Sequence, residues 1–186
     1  MRNSSDLDTL TVKISELLVA TSDTADAAID KAVPEVLQSL RVKLGMDVVF
    51  VSEFVDGERV FRFVDRSGTA PPFATGDSGP LEESYCQRVV DGRMPGLVAD
   101  AAKLPGLPTP PFRVGAHLST PIVMGDGHTY GTLCCFSQAA NDQLRQRDLE
   151  TLRMCAQLVA RKLGAAEERK TTADWTLQPL DPLRRR

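Results

Sequence analysis

The sequence predicts an α/β (α+β) domain built on antiparallel hairpins, and three observations carry that reading. The stretch "MDVVFVSEFVDGERVFRFVDRSG" sets two β-rich runs either side of Asp56-Gly57. The stretch "HLSTPIVMGDGHTYGTLCCFS" repeats the arrangement around Asp126-Gly127. Asp-Gly accepts the positive backbone angles of a two-residue type I′ turn, so each stretch reads as a hairpin. Long apolar stripes at helical spacing then bracket the two hairpins.

In chain order, Leu7, Leu10, Ile14, Leu17 and Leu18 recur at helical spacing and predict an amphipathic helix from Leu7 to about Val19. A second helix is expected from near Thr24 to Leu44, with Gly45 at the stop position and a kink or boundary at Pro34. In the first hairpin, pairing Val55 with Glu58 sets Phe61 opposite Ser52 and Phe50 opposite Phe63 on one face, with Val49 opposite Val64 on the other. Both faces are substantially apolar, so helices are expected to cover one and a cap or ligand the other.

The segment "ATGDSGPLEESYCQRVVDGRM" predicts a short helix with Pro80 in its first turn, carrying Tyr85 and Cys86 and ending at Asp91-Gly92. "GLVAD" reads as a brief strand, and the four prolines of "AAKLPGLPTPPF" make a loop suited to a lid or pocket wall. The second hairpin is expected over about residues 115 to 137. Asn141-Asp142 is the expected cap of a long helix striped by Leu144, Leu149, Leu152, Cys155, Val159 and Leu163 and stopped at Gly164. The chain accordingly divides into an N-terminal helical arm (1–23), a domain (24–164) and a polar tail or linker (165–186).

Composition narrows the functions. With 22 basic and 25 acidic residues the formal net charge is -3, which gives no electrostatic reason to expect nucleic acid or an anionic membrane as partner. No run approaches a bilayer span. The four cysteines fit neither a structural zinc site nor a secreted disulfide framework, which points to a reducing cytoplasm and to no dedicated protein metal site.

Cys134 and Cys135 are neighbours in a strand and therefore face opposite sides of the sheet. The register of a two-residue turn places Cys135 with Leu118, Ile122, Gly131 and Leu133, a core composition. It places Cys134 with His117, Ser119, Tyr130, Thr132 and Phe136, a mixed face that suits a pocket lining. The bland alternatives are packing for Cys86, a satisfied hydrogen bond for His117, solvation for His128, and helix capping for Asp100.

The order helix, helix, hairpin, short helix, strand, irregular loop, hairpin, long helix resembles a GAF domain, the small-ligand sensory module of many signalling proteins. The strongest local match is "HLSTPIVMGDGHTYGTLCCFS" followed by "RDLETLRMCAQLVARKL", and the resemblance covers roughly residues 8 to 164. It implies an antiparallel sheet of five or six strands, terminal helices on one face, and a ligand pocket under loops on the other. Bilin-binding members attach their chromophore through a cysteine ahead of the second hairpin; "DAAKLPGLPTPPFRVGAHL" has none, so a covalent bilin is not expected and the cofactor is left unassigned. The "NKFDE"-type signature of cyclic-nucleotide-binding members is absent too. Free methionine-(R)-sulfoxide reductases share the fold and use several cysteines, of which Cys86 in "SYCQRVV" falls near the first.

The resemblance therefore implies a non-catalytic sensor that binds a small molecule and signals through a helical homodimer interface, with an output domain in cis or trans. The alternatives are a thiol enzyme of the sulfoxide reductase type using Cys86, and a purely structural dimerisation module. The candidate ligand-binding residues are Phe50, Phe63, Tyr85, Cys86, Val98, Asp100, His117, Ser119, Cys134 and Phe136.

Overall fold

The computed structural model describes residues 26–72 and 74–176. The expected helix at 7–19 and the arm 1–23 lie outside the described residues, as does the end of the tail. Helix α1 (Asp26–Leu44) runs through Pro34 and stops as expected. Gly45 takes φ 64°, which lets its N–H reach Val42 O at 3.3 Å and the Met46 N–H reach Arg41 O at 3.0 Å. This pair of bonds is a Schellman stop, and Met46, 3 % exposed, supplies its hydrophobic contact.

Six strands follow: β1 (Val48–Val55), β2 (Glu58–Arg66), β3 (Ser78–Pro80), β4 (Leu97–Val98), β5 (Ala116–Val123) and β6 (Thr129–Ser137). They form one antiparallel sheet in the order β3-β2-β1-β6-β5-β4, so the two expected hairpins lie side by side with β1 and β6 at the centre. Helix α2 (Tyr85–Val90) lies between β3 and β4, a 3-10 turn (Ala101–Lys103) follows β4, and helix α3 (Gln146–Thr176) closes the chain.

The first hairpin turns at Asp56 (φ 50°) and Gly57 (φ 80°), the positive pair a type I′ turn requires. Its register holds from Val55↔Glu58 to Ser52↔Phe61 and then slips by one, so that Val51 pairs with Phe63 and Phe50 with Val64. The expected pairings Phe50 with Phe63 and Val49 with Val64 are thus corrected. Arg62 is the extra residue of a β-bulge; its charged side chain stays outside and pairs with Glu53. The consequence is that Phe61 and Phe63 pack on opposite sides of the sheet.

In the second hairpin two departures cancel. The loop has three residues, Gly125–Gly127, closed by Gly127 N–H to Met124 O and Met124 N–H to His128 O, with Gly127 at φ 89°. That is the type I turn with a left-handed glycine. A slip between Ile122 and Val123 then restores the expected pairs Ile122↔Gly131, Ser119↔Cys134 and Leu118↔Cys135. Tyr130 is the residue skipped, and it packs with the helix-side core rather than beside Cys134 as expected.

Three further expectations are corrected. Pro80 lies in edge strand β3 opposite Glu58, not in a helix, and α2 starts at Tyr85 with Ser84 as its cap. An edge strand tolerates proline because its outward N–H has no ladder partner to lose. Helix α3 begins at Gln146, not at Asn141-Asp142: the Asp148 carboxylate accepts the Arg145 N–H at 2.8 Å as half of a capping box. Nor does α3 stop at Gly164; a single glycine costs about 1 kcal/mol, and the following "AAEERK" is built of strong helix formers.

Behind the sheet, Leu37, Leu40, Leu44, Leu152 and Val159 of α1 and α3 pack on Val49, Val51, Leu118, Leu133 and Cys135. In front, a smaller cluster of Val48, Phe50, Phe61, Cys86, Cys134 and Phe136 lies under α2. Cys134 and Cys135 therefore do face opposite cores.

Candidate functional site

In front of the sheet, on the side away from α1 and α3, lies a cavity of about 1110 Å³. Phe50, Phe61 and Phe136 from β1, β2 and β6 form its floor, and β3 forms one rim. The Phe50 and Phe61 rings meet edge to face at 4.8 Å. The opposite wall is the proline loop, where Pro108 to Pro111 lead into Phe112, stacked on Phe136 at 5.2 Å. A run of prolines holds such a wall extended without needing backbone donors in a ladder.

Helix α2 closes the top. Ser84 Oγ accepts the Gln87 N–H at 3.1 Å and donates to Leu81 O at 2.6 Å, fixing the helix start so that Tyr85 and Cys86 reach the cavity. Cys86 is 1 % exposed, and its Sγ lies 3.5 Å from Cys134 Sγ of β6. Cys134 Sγ is in turn 3.1 Å from Nε2 of His117 in β5. The His117 ring meets Tyr85 edge to face at 5.3 Å, and its Nδ1 is buried without a partner among the described residues. On the other side of Cys86, Arg59 Nη1 lies 3.9 Å from its sulfur, and the guanidinium rests over Phe61 at 4.7 Å.

These contacts divide the thiols. The Cys134 S–H hydrogen bond holds the Cys86 thiol well below the ordinary range, helped by His117 and the Arg59 charge and opposed by burial. Burial pushes Cys134 well up, and the neighbouring Cys86 charge adds to the effect. Of the two, the inner sulfur therefore holds its proton more tightly and the one beside the cavity gives it up first. Cys135 and Cys155, in the helix-side core, are both pushed up by burial, Cys155 to about 12.

Of the residues expected to form the site, Phe50, Tyr85, Cys86, His117 and Phe136 line the cavity. Cys134 lies fully buried behind Cys86, with Ser119 as its cross-strand neighbour. Val98 packs in a side cluster with Met94, Ala101 and Tyr85. Asp100 caps the 3-10 turn, its Oδ1 accepting the Ala102 N–H at 3.1 Å. Phe63 is carried to the other face by the bulge. Arg59 and Phe61 were absent from the expected set, although their i, i+2 spacing next to a type I′ turn places them on one face. Among the described residues no group of three or more His, Cys, Asp or Glu is arranged to hold a metal ion, and no helix is long and apolar enough to cross a membrane.

The central β1/β6 pair is thus backed by helices and fronted by an open cavity. The GAF domain family model matches residues 28–163. The chain belongs to the GAF family. A solved GAF domain from a phosphoenolpyruvate-protein phosphotransferase of Coxiella burnetii is 17% identical, with TM-score 0.67, covering 91% of this chain and 99% of that one. Free methionine-R-sulfoxide reductase from Neisseria meningitidis, solved with its substrate, is 16% identical with TM-score 0.66, covering 91% and 96%. The chromophore-binding domain of a bacteriophytochrome from R. palustris is 16% identical with TM-score 0.64, covering 91% of this chain and 63% of that one. At these identities the likeness is one of fold. No curated protein matches the sequence.

Proposed function

We propose that this GAF domain is a cytoplasmic sensory module that binds a small organic molecule in the cavity in front of the sheet and signals through its terminal helices. The cavity itself carries the reading: about 1110 Å³, slightly above the usual size of small-molecule sites, with aromatic and proline walls and a few polar groups converging on it. The ligand suited to it has a flat apolar body against Phe50, Phe61 and Phe136 and a polar edge toward Arg59 and His117. An open cavity speaks against a purely structural module with a collapsed pocket.

Signalling follows if the ligand prefers one arrangement of a helical dimer interface, since binding shifts an equilibrium only by its differential affinity for the two states. Helices α1 and α3 lie on the face opposite the cavity and are the elements available to a second copy or to an output domain. Native mass spectrometry of protein purified from its source cells is the test. A dimer retaining a small-molecule mass is the expected result; a strict monomer with an empty cavity, before and after exposure to cell metabolites, refutes it.

One observation favours a second reading, a thiol enzyme acting on a sulfoxide: Cys86 lines the cavity with another thiol 3.5 Å behind it. Turnover of free methionine sulfoxide in a thioredoxin-coupled assay, lost in Cys86→Ser, supports it, and an inactive wild type removes it.

A further inference from the structure

Two thiols 3.5 Å apart, one on the wall of an open cavity and one sealed behind it, make more than a pair of packed hydrophobes. We propose that Cys86 and Cys134 form a two-thiol centre that reduces a hydroperoxide and closes into a disulfide between α2 and β6. The inference does not depend on the cavity's organic ligand or on sulfoxide turnover.

Each group has a place in the chemistry. Cys86 is the one of the pair that lines the cavity, its 1 % exposure calling for a small outward shift of α2 to admit the peroxide, and Arg59 Nη1 at 3.9 Å stabilises the negative charge on its sulfur and that developing on the peroxide. The thiolate attacks one peroxide oxygen, the O–O bond breaks, and the departing alkoxide or hydroxide takes a proton from water. Cys86 is then a sulfenic acid and the hydroperoxide has become an alcohol or water. Cys134 attacks that sulfur, an S–S bond forms as the S–O bond breaks, and the Cys134 proton leaves with the hydroxyl group as water. His117 Nε2, 3.1 Å from Cys134 Sγ, is positioned to hold this proton in transit.

Closure needs the sulfurs to approach by about 1.5 Å, from 3.5 Å to bonding distance, a movement within reach of side-chain rotation and a small shift of the six-residue helix α2. Cys135 and Cys155 serve as internal controls, since both are buried in the core behind the sheet.

The test uses the full chain, fully reduced, freed of reductant and exposed to hydrogen peroxide in slight excess. Intact mass should fall by two hydrogens, and non-reducing peptide maps should join Cys86 to Cys134 while Cys135 and Cys155 stay alkylatable after unfolding. Cys134→Ser should stop at a sulfenic acid on Cys86 that dimedone traps. Cys86→Ser should consume peroxide about tenfold more slowly or less, as expected when the low-lying thiolate is removed. Wild-type protein that forms no disulfide, that pairs Cys86 with another cysteine or across chains, or that goes directly to sulfinic acid overturns the proposal. The wild-type map is decisive even if a variant misfolds.

Discussion

Arg59→Met isolates the charge that faces Cys86 while keeping a long apolar stem over Phe61. The guanidinium nitrogen lies 3.9 Å from the Cys86 sulfur. At ~4 Å a unit charge pair is worth about 1 kcal/mol in water and about 4 kcal/mol at an effective dielectric of 20. Because Arg59 is only half-buried at the cavity rim, the lower half of that span applies, about 1–2.5 kcal/mol, and its loss raises the thiol midpoint. Thiolate population and intrinsic nucleophilicity oppose each other as the midpoint rises. Below the midpoint the net rate of alkylation should therefore fall about 2- to 10-fold. The assay is iodoacetamide labelling of Cys86 across a pH series, quantified by peptide mass spectrometry, with Arg59→Lys as the charge-retaining control. The expected result is a midpoint moved upward in Arg59→Met and largely kept in Arg59→Lys. An unchanged midpoint in a folded Arg59→Met protein refutes the assignment of Arg59 to the thiolate.

Gly131→Ala should destabilise strongly, because its Cβ would run into the backbone of Ser52 and Glu53 in the central strand pair. At about 3 kcal/mol, the upper end for overpacking, thermal unfolding should come roughly 6–12 °C earlier; a melt within about 2 °C of wild type contradicts this. Cys155 is pushed up to about 12, so the unfolded chain releases this proton first and stability is lost as pH rises above the ordinary thiol value. Cys155→Ala should make the decline in urea stability between about pH 9 and 10 shallower by roughly 1 kcal/mol, and parallel slopes would count against the buried neutral thiol. Deleting Arg62 should remove the bulge while leaving Phe61 and Phe63 on their own faces, so the variant should fold with a stability loss of about 1 kcal/mol; deleting Phe63 instead should prevent folding. Gly79→Trp, at a cavity-lining position where an added side chain meets open space, should abolish ligand retention in native mass spectrometry without lowering the melting temperature.

What the sequence disclosed and what it hid follow from the range of the interactions. The two hairpins were legible because Asp56-Gly57 and Asp126-Gly127 act locally. The split of Cys134 from Cys135 was legible because strand alternation is local too. The Arg62 bulge was not, since an exposed charged residue suits an outward strand position and an unpaired one equally well. In the second hairpin a wrong loop length still led to the right register, because the three-residue loop and the Tyr130 bulge offset each other. Strand β3 escaped notice because three residues carry no periodicity. The meeting of Cys86 with Cys134 across 48 residues depends on how α2 docks on the sheet, which no local pattern encodes. Arg59 belongs to the same class: its position beside a turn was visible, its approach to Cys86 was not.

The neighbouring cysteines of β6 also indicate how the front of the domain can address its back. Cys134 touches the cavity's thiol and histidine, while the adjacent Cys135 packs in the core that holds α1 and α3. A packed core such as the one behind the sheet responds to a displaced strand by moving whole elements rather than by compressing. A ligand or a disulfide that shifts Cys134 must also move Cys135, because one peptide unit joins them. Under the proposed sensory reading, the resulting strain would be relieved by repositioning the helices behind the sheet. Strand β6 is hydrogen-bonded to β1 and β5 on its two sides, so it would move as part of a continuous sheet, and the proposed signal would reach α1 and α3 together.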